Sequence, residues 1–123
     1  MILAGVVGAL GAAVFGLVDW LAVPRGTRAK TIGLWHGAGN AGVVALFVVS
    51  WALRLGRIGD PGALPIVLSG AGVALALVTA WLGGELVERL GIGVYEDANP
   101  NAPSSLHRSP RDAPAAPPIR PAG

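Results

Sequence analysis

The sequence predicts an all-α fold: a polytopic transmembrane helix bundle with three spanning helices and a disordered, Pro/Ala-rich C-terminal tail. The chain has 123 residues, of which 53% are hydrophobic and 13% are charged, whereas an ordinary soluble domain carries about 25% charged residues. Three nearly uncharged stretches each match the roughly 30 Å hydrocarbon core of a bilayer at about 1.5 Å per residue. We therefore expect a transmembrane domain over residues 1–96 and a tail over residues 97–123.

The first predicted helix covers residues 2–21, and Asp19 is its single charged side chain. Small residues recur along it at the spacing that lets membrane helices approach closely, as in the pair Gly8 and Ala12. Pro24 is expected to end the helix region, because proline has no backbone N–H to donate.

The second predicted helix covers residues 32–53 and contains no Asp, Glu, Lys or Arg. Trp35 and Trp51 stand near its two ends, about 24 Å apart along a helix axis. Because tryptophan favours the two membrane interfaces, this spacing indicates one full crossing.

The third predicted helix covers residues 63–90 and follows an Asp-Pro-Gly turn at residues 60–62. Pro65 is tolerated because it falls in the first turn of the helix. The glycine pair at residues 83–84 predicts a kink near the membrane surface.

The composition changes at residue 97, because seven of the ten prolines lie in residues 97–123. Such a segment cannot bury enough apolar surface to offset the entropy of ordering it. We expect disorder there, with His107 as a solvated surface residue.

The net charge of +2 does not indicate nucleic-acid binding, because the basic residues flank the apolar stretches, where membrane proteins place them against lipid headgroups. The absence of cysteine excludes disulfides and thiolate metal sites within the chain. The sequence also lacks the GxSxG, phosphate-loop and HExxH motifs of common soluble enzymes. We therefore expect the lipid bilayer as the main partner, and we find no catalytic motif that would indicate an enzyme.

Three crossings place the loop after the first helix and the C-terminal tail on one side of the membrane, which we call side A. Four basic residues near the membrane lie on side A and two on the opposite side, side B. The positive-inside rule then predicts that side A is cytoplasmic, in a multi-pass protein of the bacterial cytoplasmic (inner) membrane. The six residues are Arg25, Arg28, Lys30 and Arg89 on side A, and Arg54 and Arg57 on side B.

Four polar residues are predicted to form one layer near side A: Asp19, His36, Asn40 and Glu85. His36 and Asn40 share one helix face, because residues four apart align on a helix. Antiparallel crossings bring the side A ends of all three helices to a similar depth. Polar groups at such a depth face the bundle interior and pair with each other.

Three interpretations of this layer remain open. In the first, it is structural: His36 hydrogen-bonds the carboxylate of Asp19 or Glu85, and Asn40 bridges two helices. In the second, His36 ligates haem iron, which requires a second axial ligand that His107 is poorly placed to supply. In the third, the layer is part of a proton or ion path, because histidine titrates near neutral pH.

Three motifs resemble a bacterial transmembrane family known as domain of unknown function 2231. They are a D-W-hydrophobic-Pro-x-Gly-x-basic junction, an H-G-x-x-N motif on the next helix and a W-L-G-G-x-L-x-x-x-x-G-x-G-V ending. The matching residues are Asp19, Trp20, Pro24, Gly26, His36, Gly37, Asn40, Trp81, Gly83, Gly84, Leu86, Gly91, Gly93 and Val94.

The resemblance implies a four-helix membrane domain whose extra first helix bears histidines, and the present chain starts at what corresponds to the second helix. Some members of the family are joined to redox domains, and no activity is assigned to it. We expect a small structural or interaction subunit that packs with itself or with a partner. The alternative is a haem-binding or electron-transfer subunit that uses His36 and a redox partner subunit.

Overall fold

A computed structural model of the chain describes residues 1–57, 59–96, 98–102 and 104. Helix α1 spans Ile2–Ala22, α2 spans Arg28–Arg54, α3 spans Ala63–Gly84, and a π-helical turn, Glu85–Arg89, continues α3. No strand occurs among the described residues. All three α-helices are long and apolar enough to cross a membrane, which confirms the predicted all-α class with three spanning helices.

Helix α2 begins four residues before its predicted start. The hydroxyl of Thr27 accepts a hydrogen bond from the backbone N–H of Lys30 at 3.1 Å, and this N-cap satisfies a backbone donor that the helix itself cannot. The cap extends the helix into the basic loop, so Arg28 and Lys30 lie in its first turn. As a result, His36 lies about two turns inside α2, since a turn takes 3.6 residues.

The end of α3 also differs from the prediction. The backbone stays helical through Gly83 and Gly84, where a kink was predicted, and Gly84 has φ −58° and ψ −43°. The wider π-helical turn follows at Glu85, and the N–H of Leu90 bonds to the carbonyl of Glu85 at 3.1 Å. The deviation from α-helical geometry therefore comes one residue later than expected.

Helix α2 is the central element of the compact unit formed by residues 1–93. It packs along α3 and against α1, whereas α1 and α3 do not contact each other among the described residues. The residues of α3 that are buried recur every seven positions, at Pro65, Gly72 and Thr79. This period is typical of left-handed helix packing.

The described residues include no buried large apolar side chain, and the two buried polar residues are Ser50 and Thr79. In water such a molecule would lack a hydrophobic core. In lipid the arrangement is expected, because close packing of small residues and interhelical hydrogen bonds hold membrane helices together. Gly72 illustrates this packing, since a Cβ atom there would lie 3.0 Å from the Phe47 ring.

Residues 94–123 form a separate unit. Its described part contains two short turns, closed by hydrogen bonds from Ala98 N–H to Tyr95 O at 3.1 Å and from Ala102 N–H to Asn99 O at 3.0 Å. Most of the predicted disordered tail, including His107, lies outside the described residues, so its disorder stays a prediction.

Candidate functional site

His36 and Asn40 on α2 meet Thr79 on α3 and form one hydrogen-bonded cluster. The His36 Nδ1 atom lies 2.8 Å from the Thr79 carbonyl oxygen, and the Asn40 Nδ2 atom lies 3.1 Å from His36 Nε2. The Thr79 hydroxyl donates to Asn40 Oδ1 at 3.2 Å. The cluster therefore joins residues of two helices that lie 39 and 43 positions apart in the chain.

Backbone carbonyls fix the orientation of every group in this cluster. The Thr79 carbonyl can only accept, so Nδ1 of His36 carries the ring proton and Nε2 is the acceptor. The Asn40 amide nitrogen also donates to the His36 carbonyl at 3.0 Å, which assigns nitrogen and oxygen in its carboxamide. The Thr79 hydroxyl proton is shared with the Ala76 carbonyl at 3.0 Å. These assignments are mutually consistent.

Two glycines make room for the cluster. A Cβ atom at Gly83 would lie 3.0 Å from Cε1 of His36, and a Cβ atom at Gly39 would overlap the Thr79 methyl group. The imidazole ring and the threonine methyl therefore occupy space that any larger residue would fill. Gly83 belongs to the W-L-G-G motif, so the structure gives a packing reason for this part of the pattern.

The cluster leaves His36 with no free ring nitrogen. Ligation of haem iron through Nε2 would require Asn40 to withdraw its amide, and ligation through Nδ1 would break the bond to α3. The described residues also contain no group of three or more His, Cys, Asp or Glu side chains that could hold a metal ion. Both ring nitrogens of His36 are thus engaged within the cluster, which is suited to holding α2 and α3 in register.

The four residues of the predicted layer do not come together. Glu85 pairs with Arg28 at 2.9 Å and with Arg89 at 3.2 Å, not with His36. Asp19 is exposed and forms no hydrogen bond or ion pair with any described residue. Glu85, which follows α3, thus lies beside the first residue of α2, while His36 and Asn40 lie deeper in the bundle.

Trp20 and Lys30 join the end of α1 to the start of α2. The Trp20 indole N–H donates to the Lys30 carbonyl at 3.0 Å, and the Lys30 ammonium donates in return to the Trp20 carbonyl. The ammonium also lies 3.9 Å from the centre of the Trp20 ring, at the distance of a cation–π contact. Gly33 admits the ring, because a Cβ atom there would lie 2.7 Å from it.

A second polar cluster, near side B, was missed by sequence reasoning. The Ser50 hydroxyl, which is fully buried, donates to the Pro65 carbonyl at 2.7 Å and lies 2.8 Å from the Ser69 hydroxyl. Arg54 donates to the same carbonyl and to Ser69, each at 3.2 Å. The α2–α3 pair is therefore held by hydrogen bonds at both membrane ends.

Thr79 was also not predicted to belong to a polar cluster, although one feature of the sequence could have indicated it. Thr79 and Ser69 are the hydroxyl-bearing residues of α3, and a hydroxyl within a membrane helix finds a hydrogen-bond partner on a neighbour or on its own backbone. Both residues do so here. Hydroxyls inside apolar stretches would have identified both clusters on the α3 side.

Comparison with known proteins gives one family. The sequence model of DUF2231, described as a predicted membrane protein, matches residues 1–96, which includes all three helices. No curated protein and no solved structure matches the chain.

Proposed function

The chain belongs to the DUF2231 family of predicted membrane proteins, and from this premise we propose that it is a structural or interaction subunit of the bacterial cytoplasmic membrane. The α2–α3 pair is the rigid part, and α1 associates with a second copy of the chain or with a partner helix. The observation that carries this proposal is the empty space around the glycines of α1.

The glycines of the three helices differ in what an added Cβ atom would contact. A Cβ atom added at Gly33, Gly39, Gly42, Gly72 or Gly83 would contact a side chain from another helix at 3.3 Å or less. A Cβ atom added at any glycine of α1 would find nothing within 4 Å, and these residues are Gly5, Gly8, Gly11 and Gly16. The same holds for Gly37, Gly70 and Gly84 in the other two helices, so α1 is the helix in which every glycine is open.

This contrast supports intermolecular packing, because small residues in membrane helices serve close backbone contact. Helix α1 also has no buried residue, and α2 is its only helical neighbour among the described residues. A face built for close contact and left uncovered within the chain is suited to a helix from outside it.

The orientation of the subunit follows from its basic residues. Helix α2 begins with Arg28 and Lys30, and Arg89 closes the π-helical turn on the same side. With Arg25 these residues give side A more positive charge than side B, which supports a cytoplasmic side A.

The test is a membrane dimerisation assay that reports association of α1 in the inner membrane. We expect Gly8→Leu and Ala12→Leu to reduce the signal strongly, since leucine on the glycine face holds the backbones apart. Val14→Leu is the control, because Val14 is exposed and lies on a different face of α1. Association that persists in both face variants, or that falls equally in the control, would refute the proposal.

A further inference from the structure

Glu85 holds two arginines at the side A end of the bundle. Its Oε2 atom accepts from Arg28 at 2.9 Å and its Oε1 atom accepts from Arg89 at 3.2 Å. The carboxylate side chain is 13% exposed, whereas the side chains of Arg28 and Arg89 are 61% and 75% exposed. The three residues form an arginine clamp: a shielded carboxylate with a guanidinium on each of its oxygens.

The clamp has unused donors and unbalanced charge. A guanidinium carries five N–H donors, and each arginine uses a single nitrogen atom on Glu85 while making no other hydrogen bond to the described residues. Two positive charges against one negative charge leave the clamp with a net charge of +1. Lys30 does not share in it, because its ammonium is held by Trp20.

The position of the clamp indicates which kind of anion could neutralise its net positive charge. Arg28 is the first residue of the second candidate membrane span, and Arg89 is the last residue of the third. Both arginines therefore lie where the apolar part of the chain ends, at the level of the lipid headgroups.

We propose that the arginine clamp binds the phosphate of an anionic phospholipid. One phosphodiester carries one negative charge, which neutralises the clamp, and its oxygens match the paired N–H donors of a guanidinium. Glu85 orients both arginines before the lipid arrives, so less side-chain freedom is lost on binding. The inference is independent of how α1 associates.

The experiment measures lipid binding to the full chain purified in a neutral detergent, by native mass spectrometry. Phosphatidylglycerol is titrated against phosphatidylcholine, and inorganic phosphate is a third arm that separates a lipid site from a site for free phosphate. We expect phosphatidylglycerol to bind at least about fivefold more tightly than phosphatidylcholine, and inorganic phosphate at millimolar concentration not to displace it. Equal binding of the two lipids, or displacement by inorganic phosphate, would overturn the proposal of a lipid site.

Single substitutions distinguish lipid binding at the clamp from nonspecific attraction of an anionic lipid to positively charged residues. Arg28→Gln and Arg89→Gln are each expected to weaken phosphatidylglycerol binding about fivefold. Arg57→Gln removes an exposed arginine at the opposite membrane side and is expected to leave binding unchanged. Far-UV circular dichroism verifies helix content, and if one clamp variant does not fold, the other provides the same comparison.

Glu85→Gln is the variant for which the clamp and diffuse electrostatic attraction predict opposite changes in lipid binding. This variant adds one unit of positive charge but removes the group that orients both arginines. The clamp predicts weaker binding of phosphatidylglycerol, whereas diffuse electrostatic attraction predicts tighter binding. Tighter binding in Glu85→Gln, or equal losses in Arg57→Gln and the clamp variants, would overturn the proposal.

Discussion

Replacing Gly39 by alanine should destabilise the α2–α3 pair, while the same change at Gly37 should not. Both glycines lie inside α2, so both variants gain the same intrinsic helix propensity, up to about 1 kcal/mol. A Cβ atom at Gly37 would meet nothing within 4 Å, whereas a Cβ atom at Gly39 would overlap the methyl group of Thr79. The difference between the two variants therefore measures the contact alone.

The magnitude follows from the cost of overpacking a close helix contact. Inserting a methyl group into a filled site typically costs about 1–3 kcal/mol. Since the propensity gain cancels, Gly39→Ala should be less stable than Gly37→Ala by about 1–3 kcal/mol. Thr79 is 3% exposed and its hydroxyl is hydrogen-bonded to Asn40, so it cannot rotate away without further loss.

The assay is equilibrium unfolding of the purified chain in mixed micelles with increasing sodium dodecyl sulfate, followed by far-UV circular dichroism. A rescue variant identifies the contact: Thr79→Ser removes the methyl group and keeps the hydroxyl, so Gly39→Ala with Thr79→Ser should recover most of the lost stability. Equal stability of the two alanine variants, or no recovery in the double variant, would refute the described approach of α2 to α3.

Two further predictions concern the hydrogen bonds between helices. Thr79→Val should lower the free energy of unfolding by about 0.6–1.7 kcal/mol. Asn40→Ala should lower the free energy of unfolding less in the Thr79→Val background than in the unmodified chain. Strictly additive losses in the same assay would show that the two side chains are not coupled. Trp20→Phe removes the 3.0 Å hydrogen bond to the Lys30 carbonyl and should broaden the distance distribution between spin labels on α1 and α2, which can be placed cleanly because the chain has no native cysteine. An unchanged distribution would mean that Trp20 does not hold the two helices together.

The partners of His36 and Glu85 could not be predicted from the sequence. Antiparallel helices were expected to bring the two residues to one depth, where they could pair. Glu85 pairs with Arg28, which lies about 12 Å along the helix axis from His36 at 1.5 Å per residue. His36 instead reaches Thr79, six positions before Glu85. The residues of the predicted layer therefore have separate partners in the structure, although Gly83, two positions before Glu85, lies beside the His36 ring.

The sequence by itself determined the three spanning segments, because the free energy of transferring a segment into lipid sums over residues that are adjacent in the chain. It also indicated that His36 and Asn40 share a face, since that relation depends on helix periodicity alone. The partners of these side chains were decided only by tertiary structure. Partner choice depends on how far each helix is rotated and shifted against its neighbour, and both quantities are set by contacts such as Gly39 with Thr79 and Gly33 with Trp20, which join distant parts of the chain.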